Sequence, residues 1–237
     1  MKEINKLVDL VTNGLKSNYD VINLSGEVEN PGKEQQLYNG VLEGLYPTDE
    51  SAAEGMYQSD IYDQRFRMLK SRLRHKLYDL LYHINFEEPG FTHSTKIELE
   101  CKEYVHKAHI LFKLGEYAMS DKQLNKCIAL AEENQINTAL LEALELKSDI
   151  LSHECKPTDF EATRKTIDKR RLLVQSEKEN QGLFLRMRML MSKSIHSRNT
   201  CQDQLKKAID NSEKSWKATK SINIFLNYYQ LSAWLYL

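Results

Sequence analysis

The chain has little of what interrupts a helix. Its 237 residues include only nine glycines and four prolines. An all-β protein needs turn residues about every 8–12 positions, so that class is excluded. The four cysteines, Cys101, Cys127, Cys155 and Cys201, form no C-x-x-C pair, and neither a zinc knuckle nor a redox motif is signalled. No uncharged apolar run reaches the ~18 residues that a membrane span requires. The opening Met1-Lys2-Glu3-Ile4-Asn5-Lys6 has no apolar signal core, so a reduced, cytoplasmic setting is the expectation. A net charge of −1 supplies no global field for nucleic acid or anionic lipid.

What the chain does contain is periodic and charged. Apolar residues make up 41% and charged residues 28%, a balance that suits an open helical array better than a compact globule. The charge is unevenly placed. Residues 1–60 carry 4 basic and 11 acidic side chains, a net of −7, and residues 156–217 carry 15 basic and 8 acidic, a net of +7. This asymmetry serves either partner binding or contact between the two ends of a curved array.

Ile4, Leu7, Val8, Val11 and Leu15 recur at three- and four-residue spacing and predict a first amphipathic helix ending near Gly14. Residues 16–32 read as a loop. Leu37, Val41 and Leu45 mark a short helix that Pro47 closes. Ser51 and Glu54 have capping-box spacing, with a short helix to about Tyr57. Phe66, Leu69, Leu73, Leu77, Leu80 and Ile84 form the stripe of a helix over 61–84. Glu87-Glu88-Pro89-Gly90 is a break, which divides a 1–90 helical module from a 91–237 helical array. Thr92, Ser94 or Thr95 can cap the next helix, to Leu114. Further helices are expected at 117–133, 137–154, 158–178, 182–197 and 201–219, with a last one from Ser221.

Large and small residues alternate around one turn: Tyr104, Ala108 and Leu111, then Gly115-Glu116-Tyr117, then Ser120, Leu124 and Cys127. Small residues let neighbouring helices approach, and large ones fill the space between. Gln123-Leu124-Asn125-Lys126-Cys127-Ile128 recurs as Gln204-Leu205-Lys206-Lys207-Ala208-Ile209, two units of about 40 residues later. The intermediate unit supplies Phe160, Thr163, Ile167 and Arg170, with Arg170 in a small-residue slot. This pattern resembles a divergent tetratricopeptide repeat (TPR) over about 98–237. The resemblance implies an all-α protein: an α-solenoid of three and a half TPR-like hairpins in a right-handed superhelix after a small N-terminal module.

The resemblance also implies a concave groove lined by first helices. Carried onto this chain, its positions are Lys102, Val105, His106, His109, Phe112 and Lys113, then Glu142, Glu145, Asp149 and His153. Basic and aromatic character beside acidic character suits a peptide carrying both charges. Cys101, His106 and His109 lack a fourth ligand and do not converge, so no metal is expected. No Ser–His–Asp order, phosphate loop or H-E-x-x-H spacing occurs. The basic helix 65–76 and Arg164, Lys165, Lys169, Arg170 and Arg171 scatter around their helices, which disfavours nucleic acid. The segment Leu183-Phe184-Leu185-Arg186-Met187-Arg188-Met189-Leu190-Met191 is either an adaptable surface or a packed helix.

The expectation is therefore a non-catalytic scaffold without cofactor that binds a peptide or helix of another protein. The alternative is the sensing domain of a larger transcriptional or signalling regulator. Leu231, Trp234, Leu235 and Leu237 are expected to be left exposed at this end, where arrays end in a polar cap. Either the chain continues in a longer protein or this end is a homo-dimer interface.

Overall fold

The computed structural model describes residues 1–14, 32–81, 91–192 and 201–236. Among them the protein is all-α: ten α-helices and a terminal 3-10 turn, with no strand. They form two compact units, residues 1–92 and 93–237. The expected loop at 16–31, Ile84 and the break at 87–90 lie outside the described residues.

The first unit holds α1 (Lys2–Gly14), α2 (Lys33–Leu42), α3 (Asp49–Tyr57) and α4 (Gln64–Leu80). The α4 stripe Phe66, Leu69, Leu73 and Leu77 is buried against Ile4, Val8 and Val11 of α1, Leu37 and Val41 of α2, and Ala52, Ala53 and Met56 of α3. Each large side chain in such a core contributes about 1.5–3 kcal/mol by leaving water. Two local expectations are corrected. The α2 helix stops at Leu42 because Gly44 turns at φ +76°, so Leu45 is exposed rather than part of its stripe. The capping box belongs to Thr48 and Ser51, not Ser51 and Glu54. Thr48 is the N-cap, its Oγ1 accepts from the Ser51 amide at 3.3 Å, and Ser51 Oγ accepts from the Thr48 amide at 3.2 Å.

Tyr46 follows this turn and folds back between two helices. A Cβ on Gly40 of α2 would lie 2.1 Å from one edge of its ring, and a Cβ on Gly55 of α3 2.6 Å from the other. The two glycines thus make room for the aromatic ring that joins α2 to α3.

The second unit holds α5 (His93–Lys113), α6 (Tyr117–Glu133), α7 (Asn137–His153), α8 (Pro157–Met191), α9 (Gln202–Thr219) and α10 (Ile222–Ala233), then the 3-10 turn Trp234–Tyr236. Its first three turns repeat the same geometry. Gly115, Gln135 and Cys155 all have positive φ, at 81°, 55° and 53°. The following amides of Glu116, Ile136 and Lys156 bond back to the carbonyls of Leu111, Ala131 and Leu151 at 2.9, 2.9 and 3.0 Å. Helix plus turn therefore recurs every 20 residues, and consecutive helices pack on one another, with α5 also reaching α7.

Small residues make this close stacking feasible. Cys101, Ala108, Ser120, Cys127, Ala131 and Ala143 are fully buried, and Ser120 Oγ donates to the Ala108 carbonyl at 2.8 Å. With nine buried residues, α7 is covered on more than one face.

The helices expected at 158–178 and 182–197 are instead one 35-residue helix, α8. The next turn of the 20-residue period falls at 174–176, where the helix runs on. Val174 and Glu177 are buried there, and α9 and α10 pack along the same helix. Gly182 meets nothing within 4 Å, so it costs about 1 kcal/mol of helix propensity and forces no bend. Phe184 and Met187 of α8 share a core with Leu205 and Ala208 of α9 and Leu231 of α10, with Trp234 packed against it, so Leu231 is buried rather than exposed as expected. The sequence echo has a structural counterpart: Ser120, Leu124, Cys127 and Ala131 of α6, and the N-cap Cys201 with Leu205, Ala208 and Ser212 of α9, are all buried at the same spacing.

Candidate functional site

Helices rotate about 100° per residue, so side chains spaced four, three and four apart share a face. On α5 that spacing gives Lys102, His106, His109 and Lys113, all exposed. On α7 it gives Glu142 and Asp149, also exposed, with His153 one turn further. Because α5 packs against α7 as well as α6, a basic stripe lies beside an acidic one. His109 Nε2 and Glu142 Oε1 are 4.0 Å apart, an ion pair when the imidazole carries its proton.

An aromatic group closes one end of this face. Phe112 lies 5.5 Å from both Tyr117 and His153, and Tyr117 and His153 stack at 5.2 Å with 17° between planes. Lys113 Nζ sits 5.7 Å from the Phe112 centroid, within reach of a cation–π contact. Phe112 and Tyr117 are half-buried, so this end offers a fixed apolar step beside charged rows.

Two of the expected groove residues do other work, and a third is paired along its own helix. Val105 is buried in the core of the second unit, on the side of α5 that meets its neighbours. Glu145 is engaged by Arg171 of α8 at 2.7 Å, so the face it serves is the α7–α8 contact. Lys102 stays exposed but is paired with Glu98 one turn earlier at 2.6 Å.

Cys101 and Cys127 are buried in the core of the second unit. Cys127 Sγ lies 3.6 Å from the Cys101 carbonyl. Its hydrogen-bonded neighbour Cys101, together with burial, pushes the Cys127 thiol well above the ordinary range, which disfavours the reactive thiolate. Cys101 is buried whereas His106 and His109 are exposed, so these three do not converge. Among the described residues no group of three or more His, Cys, Asp or Glu side chains could hold a metal, and no helix is long and apolar enough to cross a membrane.

Most basic residues of α4, and Arg170 and Arg171 of α8, are paired inside their own units. On α4, Lys70 meets Asp49 at 2.6 Å, Arg65 meets Asp63 at 2.7 Å, Arg72 meets Glu34 at 3.5 Å and Arg74 meets Glu3 at 3.7 Å, while Lys76 also pairs with Glu34. On α8, Arg170 bonds Asn137 Oδ1 at 3.1 Å and lies 3.8 Å from Glu132. Its long side chain thus fits a small-residue slot by lying across the α6–α7 turn. The methionine-rich segment is half core and half surface: Phe184 and Met187 are buried, Leu185 and Met189 exposed.

A buried polar row lies outside every sequence expectation. One carboxylate oxygen of Glu177, mid-way along α8, accepts from Asn137 Nδ2 of α7 at 2.8 Å, from Asn223 Nδ2 of α10 at 3.3 Å, and from Ser221 Oγ. One turn on, Asn180 donates to Ser212 Oγ at 2.8 Å and accepts from Asn227 at 2.9 Å. The signal was present in the sequence. Glu177 and Asn180 interrupt the apolar stripe Ile167, Val174, Phe184 and Met187 at its own spacing. No fully buried nitrogen or oxygen of these side chains lacks a hydrogen-bond partner, so the row fixes helices rather than awaiting a ligand.

Compared with family models, curated proteins and solved structures, the chain finds no match in any of the three.

Proposed function

We propose that the protein is a non-catalytic interaction scaffold and that the α5–α7 face captures a peptide or helix of a partner protein. The observation that carries this reading is the adjacency of the Lys102, His106, His109 and Lys113 row to the Glu142 and Asp149 row, joined where His109 approaches Glu142 at 4.0 Å. A segment with an acidic and a basic side complements these rows, and its apolar residue stacks on Phe112, Tyr117 and His153. Charged rows of this kind set register and on-rate more than raw affinity.

The 20-residue recurrence of helix and turn over α5–α7, and the matched burial on α6 and α9, favour a divergent TPR-like array. In this reading α8 replaces a turn by a continuous helix on which the α9–α10 hairpin stacks. The neutralisation of the α4 cations by Glu3, Glu34, Asp49 and Asp63 favours a protein partner over nucleic acid, because phosphate binding draws on unpaired cations.

The test is selection of displayed peptides on the intact chain. The selected sequences are expected to carry an Asp/Glu cluster beside a Lys/Arg cluster and to lose binding to a Lys113→Glu variant. A selection without charge pattern, or clones that bind the variant equally, contradicts the proposal.

A further inference from the structure

The last helix has a second apolar face. Ile224 and Leu231 of α10 are buried, yet Ile222 is 50% exposed, Leu226 49%, Tyr229 65% and Ala233 also open. Their spacing of four, three and four residues is that of a coiled-coil seam, the positions through which one helix meets another. Phe225 borders the ridge and is held against Trp216 at 4.9 Å, and Tyr228 stacks on the same indole at 6.0 Å. The ridge is therefore braced from behind before anything binds it.

We propose that this ridge pairs with the same ridge of a second copy, antiparallel, about a two-fold axis between Leu226 and Tyr229. Three features select that occupant. From Ser221 to Tyr236 there is no Asp, Glu, Lys, Arg or His, so two copies meet without burying a charge or opposing like charges, whereas a charged partner finds no complement. The sizes are self-complementary in the antiparallel sense. Ile222 of one copy falls opposite Ala233 of the other, large against small, and Leu226 opposite Tyr229, so each contact occurs twice as an isologous interface requires. A parallel pair would set Ala233 on Ala233 and leave a gap. The area is sufficient for a weak dimer. Five large side chains, Ile222, Phe225, Leu226, Tyr229 and Leu235, are exposed by 37–65%. At ~200 Å² each, they offer on the order of 500 Å² per copy, so their complete burial in a pair would reach about 1,000 Å², the lower bound for a specific interface.

Sedimentation equilibrium of the full chain tests this independently of the α5–α7 face. The wild type is expected to show a reversible monomer–dimer equilibrium in the micromolar range. Leu226→Lys, at an exposed position, is expected to weaken it more than tenfold with unchanged helicity. Leu226→Lys/Tyr229→Glu is expected to recover dimerisation, because antiparallel pairing sets each lysine opposite a glutamate. A wild type that stays monomeric at the highest soluble concentration overturns the proposal, as does a dimer that survives Leu226→Lys. Failure of the double variant to recover overturns the antiparallel register.

Discussion

Asn137 of α7 donates a hydrogen bond to Glu177 of α8 at 2.8 Å, and both side chains are buried. The same carboxylate oxygen takes the N-cap hydroxyl of Ser221, which opens α10. One side chain thus fastens α7 and α10 to α8 at the level where the 20-residue period would have broken the long helix. Glu177→Leu leaves Asn137 and Ser221 as buried donors without their acceptor, a loss of about 2–4 kcal/mol. Glu177→Gln keeps one acceptor oxygen and is expected to cost about half as much. Urea denaturation of the two variants and the wild type reads the difference. Equal stability of Glu177→Leu and wild type contradicts the assigned role.

Equivalent turns predict opposite signs for glycine substitutions. Gly115 occupies the left-handed region at φ +81°, so Gly115→Ala is expected to destabilise by about 1 kcal/mol. Gln135 and Cys155 hold the same conformation with a Cβ. Gln135→Gly and Cys155→Gly remove that strain and are expected to be neutral or stabilising by up to about 1 kcal/mol. Thermal unfolding of the three variants checks the signs.

The wedged Tyr46 ring gives a prediction in the first unit. A methyl on Gly40 would sit 2.1 Å from the ring, which retreats only toward Gly55 of α3. Gly40→Ala is expected to cost about 1–3 kcal/mol by overpacking. In the Tyr46→Ala background the same change is expected to be nearly free. A full Gly40→Ala penalty in that background would contradict the contact.

Acid stability turns on Asp49. Burial raises its carboxyl, but the Lys70 ammonium and the Met1 amine outweigh that and hold it below the ordinary value of 3.8. A carboxyl whose folded pKa lies below its unfolded one stabilises the fold above the unfolded pKa, and the contribution fades as pH falls through the folded pKa. Asp49→Asn is therefore expected to lower stability at neutral pH and to flatten the loss of stability below pH 3.8. Denaturation midpoints across that range measure it, and parallel curves for the two proteins would exclude the coupling.

Helix periodicity made α6 legible from end to end, because Gly115 punctuates its start and Ser120, Leu124 and Cys127 mark one face. It failed at α8 for a stated reason. Glu179-Asn180-Gln181-Gly182 has the composition of a turn, but one glycine costs about 1 kcal/mol, less than Phe184 and Met187 recover by joining the core of α9 and α10. The turn at Gln135 falls in the expected gap between the helices at 117–133 and 137–154, although its left-handed residue is not glycine. At the candidate site the exposed rows of α5 and α7 were legible through the repeat resemblance. Val105 and Glu145 were not, because their environments come from other helices: the core around Val105, and Arg171 on α8 for Glu145.

The scaffold account is tested most directly by affinity capture with the intact chain, comparing wild type with a His106→Ala/His109→Ala/Lys113→Ala variant. All three side chains are exposed, so the variant is expected to fold with unchanged helicity. The account predicts that a defined partner retained by the wild type is lost from the triple variant, and is lost from Glu142→Lys/Asp149→Lys as well. An identical set of partners on all three proteins would contradict the α5–α7 face as the site of capture.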